Sequence, residues 1–220
     1  LFAKTDWICQ KVYEEHGVHV RKVSPSIDHD VYKPDPLAKK RAGLEGKIVL
    51  SAMIRPKTPR RGAERTMRLL KRIHEYFGDR VHIEIFGCAE ADPLFHKLER
   101  DFKYTNNGEL TRLGVAAVLQ RSDCFIDLSD YQAFGRTGLE AMACGSFTIL
   151  TKFGGVYEYA VDNYNSILVN PFNNESLDKS VLNTITDKPR LSRVKRNALL
   201  TAASFSIHKA ATSEIIKLAP

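Results

Sequence analysis

The sequence predicts an α/β protein built on a doubly wound parallel sheet, and three observations carry that expectation. Strand-like and helix-like stretches alternate along most of the 220 residues, which is the pattern of successive βα units. The strand-like stretches, such as Lys47 to Met53 and Cys124 to Leu128, are nearly continuous apolar runs, as strands covered on both faces must be. A polar, glycine-containing turn joins Cys124–Leu128 to the helix-forming stretch Thr137 to Ala143. In an open parallel sheet, ligands bind where such turns leave the carboxyl ends of strands.

In order along the chain, residues 1–16 are mixed and weakly helical, and Val18 to Val23 alternates like a strand. Ser24 to Pro36 holds three prolines among Asp and Ser, so it reads as loop. Lys47 to Met53 is a buried strand, and Arg55 to Gly62 is a basic loop with two prolines. Ala63 to Phe77 lines Met67, Leu70, Ile73, His74 and Phe77 along one helical face. Val81 to Phe86 is the next strand, closed by Gly87. A helix is expected near Asp92 to Asp101, then an extended piece around Phe102 to Thr105, then a helix over Leu110 to Gln120. After the strand Cys124–Leu128 and its turn comes the helix Thr137 to Ala143, which Gly145 stops. Phe147 to Leu150 and Ser166 to Val169 are further strands. Helices near Asn174–Thr186, Arg190–Ala203 and Ile207–Leu218 complete the pattern. The doubly wound domain covers residues 24–204, with 1–23 and 205–220 hanging off its two ends.

A hydrophobic fraction of 43% and a charged fraction of 27% are those of a soluble globular protein. No apolar run approaches the roughly 20 residues of a membrane span, and no secretory signal is visible. The chain opens on Leu1, which we read as the start of a fragment. Cys9, Cys88, Cys124 and Cys144 form no CxxC pair and read as reduced thiols of a cytosolic protein, mostly buried. A net charge of +7 can mean nucleic acid, an anionic membrane face or a phosphorylated substrate. The basic residues cluster at 39–41, 55–61, 65–72 and 190–196. No RNA-binding or helix-turn-helix signature accompanies them, which argues against nucleic acid. Most are solvated helix faces, and only the Arg55–Arg61 cluster looks like a site.

The turn at 129–136 is where chemistry is expected. The free N–H groups of a helix's first turn attract anions, phosphate above all. Glu140 lies about one turn into the helix and points back toward its mouth, where a carboxylate can accept hydrogen bonds from the vicinal hydroxyls of a ribose. Phosphate and ribose together describe a nucleotide site; the alternative is an ordinary strand–turn–helix with Glu140 on the surface. Arg55 to Gly62 leaves a strand on the same rim, and its guanidiniums can fork onto a diphosphate, or it is a basic surface turn. Gly87 permits close backbone approach, although a plain strand-ending glycine is the simpler reading. Gly154 and Gly155, with Glu158 beyond, suit either a ligand-hugging loop or an ordinary turn.

Other chemistries are excluded by their absent motifs. There is no Gly-x-Gly-x-x-Gly, no Gly-x-x-x-x-Gly-Lys-Ser/Thr and no Gly-x-Ser-x-Gly. The seven histidines are scattered without a HExxH or Cys/His cluster, so no metal site is expected. Asp127 and Asp130 flank the central turn without forming a metal motif.

Taken together, these residues resemble the nucleotide-sugar-binding half of the GT-B glycosyltransferases, and specifically the retaining glycosyltransferase family 4. The signature is an aspartate-ending strand followed by Ser-x-x-Glu-x-Phe-Gly-x-x-x-x-Glu-Ala-Met-Ala-Cys-Gly, matched here from Ser129 to Gly145. Gly154, Gly155 and Glu158 match the family's Gly-Gly-x-x-Glu, and Asp162 to Val169 matches its next segment loosely. The resemblance implies a Rossmann-like C-terminal half of a GT-B enzyme. It further implies that Arg55 and Arg61 grip the donor diphosphate (with Arg60 able to replace Arg61), while Gly135, Arg136 and Thr137 offer backbone N–H groups. Glu140 would bind the ribose, Gly108 and Leu110 would border the nucleobase, and Phe134 would lie beside the donor. Gln132 stands where the family has a glutamate that contacts the donor sugar, and the glycine that usually precedes the first basic loop is absent. Such Gln-Ala-Phe-Gly variants look like rhamnosyl or related deoxysugar transferases of bacterial surface polysaccharides.

The implied partners are a UDP-, GDP- or dTDP-linked sugar, a glycan or lipid-linked glycan acceptor, and an N-terminal GT-B domain of which residues 1–23 are the tail. Residues 205–220 would be the helix that crosses back to that domain, at Phe205 and Ser206. No cofactor or metal is implied, and the location is the cytoplasm or the cytoplasmic face of a membrane. This fragment alone would be inactive. The competing class is a non-catalytic nucleotide-sugar-binding module, for which the neutral Gln132 is the clue. A GT-B phosphorylase or epimerase is disfavoured by the lack of a pyridoxal phosphate lysine motif.

Overall fold

The computed structural model describes residues 1–218. In order they form β1 (Phe2–Ala3), α1 (Asp6–His16), β2 (Arg21–Lys22), α2 (Ala38–Arg41), β3 (Ile48–Met53), α3 (Ala63–Phe77), β4 (Val81–Phe86), β5 (Thr105–Asn106) and α4 (Arg112–Arg121). There follow β6 (Cys124–Asp127), α5 (Arg136–Ala143), β7 (Phe147–Thr151), β8 (Ile167–Val169), α6 (Asn174–Thr186), α7 (Lys188–Ala203) and α8 (Ile207–Leu218). The expected doubly wound sheet is present. Its strand order is β5-β4-β3-β6-β7-β8, with every pairing parallel. From β3 the chain winds outward through β4 and β5, returns to β6 beside β3, and winds outward the other way. The reversal therefore falls between β3 and β6, and the loops leaving those two strands diverge to open a crevice.

The strands earn their burial on both faces. Successive side chains of a strand point to opposite sides, so Ile126 joins one cluster and Phe125 the other. On one face Leu50, Ile83 and Ile85 pack against Met67, Leu70 and Ile73 of α3 and against Leu177 and Val181 of α6. On the other, Phe86 and Phe125 pack with Leu119 of α4, Leu139 and Met142 of α5, and Ala198 and Ala202 of α7. Each large side chain so buried contributes about 1.5–3 kcal/mol relative to exposure. The helical stripe of α3 is the plainest case: Met67, Leu70, Ile73 and Phe77 are all buried, while His74 at the stripe's edge is half-buried.

Several local expectations need correction. The helix expected over 92–101 is a single 3-10 turn at Phe95–Lys97. Only Phe95 of that stretch is fully buried, and one residue cannot supply the apolar stripe a helix needs. The Asp92 carboxylate instead caps the Leu94 N–H at 2.9 Å and shapes a turn. The strand expected over 18–23 shortens to Arg21–Lys22, paired in parallel with the unexpected β1. The ends do not hang off the domain. Lys4 Nζ pairs with Glu214 Oε1 at 2.6 Å, the Ser24 N–H donates to Ser213 Oγ at 3.0 Å, and the Ile27 N–H donates to the Phe205 carbonyl at 3.0 Å. Residues 219–220, the last two of the segment read as a crossover helix, lie outside the described residues.

Candidate functional site

Two loops meet at the switch point. The loop after β3 carries Arg55, Arg60 and Arg61 and tightens into a 3-10 turn at Pro59–Arg61 before Gly62 starts α3. The loop after β6 runs from Leu128 to Gly135. They are stitched together by the Asp130 N–H, which donates to the Arg60 carbonyl at 2.7 Å, and by an ion pair between Arg65 and Asp130. Gly62 has φ +64, and a Cβ there would stand 2.4 Å from the Leu128 carbonyl oxygen, so only glycine lets these loops approach. Arg61 is 23% exposed and reaches Asp127 Oδ2 at 3.6 Å. Burial lowers the Arg61 pKa, Asp127 opposes that shift, and Arg60 and Arg55 add to it. Arg60 lies over the Tyr131 ring at 5.4 Å, and its Nη1 is buried without a protein partner.

A cavity of about 340 Å³ opens at the carboxyl ends of β3 and β4. Met53, Arg55 and Thr58 form one wall, Phe86, Gly87 and Cys88 the second, and Leu110, just before α4, with Val115 in its first turn the third. Gly87 has φ +103, and a Cβ there would come within 2.9 Å of the Ile54 carbonyl oxygen; it is therefore a required glycine, not an incidental one. Its N–H donates to the Gly108 carbonyl at 2.8 Å, and the Gly108 N–H is held by Asn106 Oδ1 at 2.9 Å. Gly108 thus shapes the turn that presents Leu110, while Leu110 itself lines the cavity.

Helix α5 begins at Gly135, in the left-handed region, with no side chain capping it. Among the described residues the N–H groups of Arg136 and Thr137 have no protein acceptor. Such an uncapped start favours an anion. Arg136 is exposed and Thr137 half-buried. Phe134 turns into an aromatic cluster instead, edge-on to Tyr159 at 5.3 Å and near Phe205 at 6.3 Å. The Tyr159 hydroxyl donates to the Gly135 carbonyl at 2.7 Å, which fixes the turn from behind.

Glu140 is 7% exposed, so the surface reading of this residue is overturned. Burial pushes its carboxyl above the ordinary value, against the pull of Arg136, the Tyr32 hydroxyl and Arg112. Gln132 is 4% exposed, with its amide nitrogen donating to Asp127 Oδ2 at 2.6 Å and to Ser129 Oγ at 2.8 Å. Glu158 accepts from the Asp6 N–H at 2.6 Å and pairs with Lys22 at 2.8 Å, which docks the amino-terminal segment against the rim. Of the residues singled out in the sequence, Arg55 and Leu110 share the cavity wall. Arg61 and Gln132 meet at Asp127, and Gly135, Arg136, Thr137 and Glu140 lie on the first turns of α5. In the sequence Asp127 was weighed only as a metal ligand; its place at the end of an apolar strand did not show that Gln132 and Arg61 would meet there. Tyr32 had no local signal, since only the fold brings it to Glu140.

The family model for Glycosyl transferases group 1 matches residues 45–200. The chain belongs to the group 1 glycosyl transferases. This group 1 domain is 23% identical over 211 residues to mannosylfructose-phosphate synthase of Agrobacterium fabrum, covering 87% of this chain and 46% of that protein. It is 40% identical over 76 residues to sucrose synthase 5 of Arabidopsis thaliana, covering 34% of this chain and 9% of that one. The solved structure of Anabaena Alr3699/HepE in complex with UDP-glucose superposes with a TM-score of 0.83 at 18% identity, over 99% of this chain and 62% of that one. The chain thus spans less than half the length of these two sequence relatives. Its fold is that of the C-terminal Rossmann-like domain of a GT-B glycosyltransferase, as the sequence led us to expect.

Proposed function

We propose that this group 1 domain is the donor-binding half of a retaining glycosyltransferase of family 4, acting on a nucleoside diphosphate sugar and a glycan or lipid-linked glycan acceptor. The carrying observation is the 340 Å³ cavity at the ends of β3 and β4 with Arg55 on its wall, together with Arg61 and the uncapped start of α5 at the switch point on the other side of β3. A nucleobase suits the cavity between Met53, Phe86 and Leu110. Arg55, Arg61 and the N–H groups of Arg136 and Thr137 then take the diphosphate, because guanidiniums and a helix amino end both favour phosphate oxygens. Glu140 is assigned to the ribose hydroxyls and Gln132 to the sugar. The UDP-glucose complex of the similar HepE fold supports a nucleotide sugar as the ligand class.

These positive groups do for the diphosphate what a bound cation does elsewhere, so binding should need no metal. The whole enzyme would work in the cytoplasm or at the cytoplasmic face of a membrane, on surface polysaccharide, with a deoxysugar such as rhamnose as a candidate donor. A thermal-shift screen of the chain against UDP, GDP, dTDP and their sugars, with and without chelator, is the test. Stabilisation by one nucleotide, unchanged by chelator, is the expected result. Loss of that stabilisation on chelation would refute metal-independent binding, and the absence of any stabilisation would refute the donor site. Turnover by the longer protein, with the anomeric configuration of the product read by NMR, separates a retaining transferase from a binding module.

A further inference from the structure

Asp127 closes the otherwise apolar strand β6, and both of its oxygens are engaged. Oδ1 accepts from the Ser129 N–H at 2.9 Å and from the Ser129 hydroxyl at 2.5 Å. Oδ2 accepts from Gln132 Nε2 at 2.6 Å and faces Arg61 Nη1 at 3.6 Å. Gln132 Nε2 gives its second hydrogen to Ser129 Oγ at 2.8 Å. An amide has two N–H donors and one carbonyl acceptor. Both donors are therefore used within the loop, and Oε1 alone is left for a ligand. The backbone of Gln132 is fixed as well: its N–H donates to the Phe153 carbonyl at 3.2 Å, and its carbonyl accepts from the Gly155 N–H at 2.6 Å.

We propose that Asp127 is a positioning residue of the donor site, holding the Arg61 guanidinium toward the diphosphate and turning the Gln132 amide so that Oε1 faces the sugar. The inference rests on the donor-site reading above. It accounts for the amide at 132. A glutamate there would set two carboxylates at contact distance, and like charges that close cannot both ionise freely. Beside Asp127, glutamine supplies the acceptor oxygen that a glutamate would offer, together with an N–H for Asp127 Oδ2 to accept. The charged and titratable groups that bear on Asp127 are Arg61 on the loop after β3, itself beside Arg55 and Arg60, and the Tyr159 hydroxyl behind the turn.

The test is calorimetry on this chain with UDP, GDP and dTDP and with their sugars, using the nucleotide that binds the wild type most tightly. Arg61→Ala, Gln132→Glu and the double variant Asp127→Asn/Gln132→Glu are compared with the wild type between about pH 5 and about pH 8, across which a carboxyl pair sharing one proton can titrate. In Gln132→Glu that shared proton holds the two carboxyls together at the acid end, and repulsion parts them at the alkaline end. Its affinity relative to wild type should therefore fall about fivefold or more as the pH rises. The double variant restores an N–H to carboxylate hydrogen bond with the charge moved, so its ratio to wild type should stay flat.

A flat ratio for Gln132→Glu, or a double variant that titrates like the single one, would overturn the inference while leaving the donor site standing, provided Arg61→Ala still weakens binding. A pH trend in melting temperature without one in affinity would make the cluster merely structural and overturn it too. A wild-type chain that binds none of the three nucleotides would overturn the donor-site reading and this inference with it.

Discussion

Glu140 shows how much a single residue's position costs and what it returns. Its carboxyl is pushed upward by burial, so the folded chain holds that proton more tightly than the unfolded chain does. The associated stability is complete below the ordinary carboxylate value and is lost as the pH rises through the raised one. Glu140→Gln removes this titration. We expect the variant's denaturant midpoint to gain on the wild type as the pH rises from about 4 to neutrality, while nucleotide affinity falls by about 1–3 kcal/mol. Parallel pH profiles for the two proteins would show that Glu140 carries no such penalty. At this scale the sequence marked the residue through its place in the Ser129–Gly145 motif. It could not show that Tyr32 sits against it, because that contact depends on where the 24–36 loop is laid over α5.

At the scale of elements, the loops are held as firmly as the helices. Gly154 has φ +89, and a Cβ there would lie 2.3 Å from the Gln132 carbonyl oxygen. Gly154→Ala should therefore cost about 2 kcal/mol or more, from strain plus the displaced loop, measured as a lower urea midpoint with an unchanged slope. A near-neutral result would mean that the 129–135 and 152–155 loops move independently. On β4, Glu84 is 2% exposed and takes a two-pronged bond from Arg121 of α4, at 2.7 and 2.5 Å. Removing Arg121 leaves the buried carboxyl with only Asn107 Nδ2 at 3.0 Å and His82 at 3.5 Å, so Arg121→Ala should destabilise by about 3 kcal/mol; a loss below about 1 kcal/mol, the range of exposed pairs, would show that these two suffice. Periodicity foretold α3 to its end residues because a full apolar stripe repeats there. It failed over 92–101, where Asp, Pro and a single buried Phe specify a turn.

For the molecule as a whole, binding at one crevice should report on the stability of the entire sheet. A nucleotide at about 100 times its Kd adds about 2.7 kcal/mol. At about 2–4 °C per kcal/mol for a domain of this size, the melting temperature should rise by about 5–10 °C. A shift confined to a local probe, with the global transition unmoved, would place the ligand away from the junction of β3 and β6.

The sequence by itself determined the class of fold, the doubly buried strands, the three closing helices, and the motif from Ser129 to Gly145 that marks the ligand-facing rim. These follow from local chemistry: apolar runs, helical stripes, and glycines where a helix begins or ends. Only the tertiary structure decided that the amino-terminal segment packs against α8 and the Glu158 turn, that Phe134 serves an aromatic cluster, and that Gln132 turns its N–H groups onto Asp127. These are contacts between loops from different strands, in which the partner of a side chain is set by strand order and register. Neither of those is encoded in the spacing of residues along one stretch of chain.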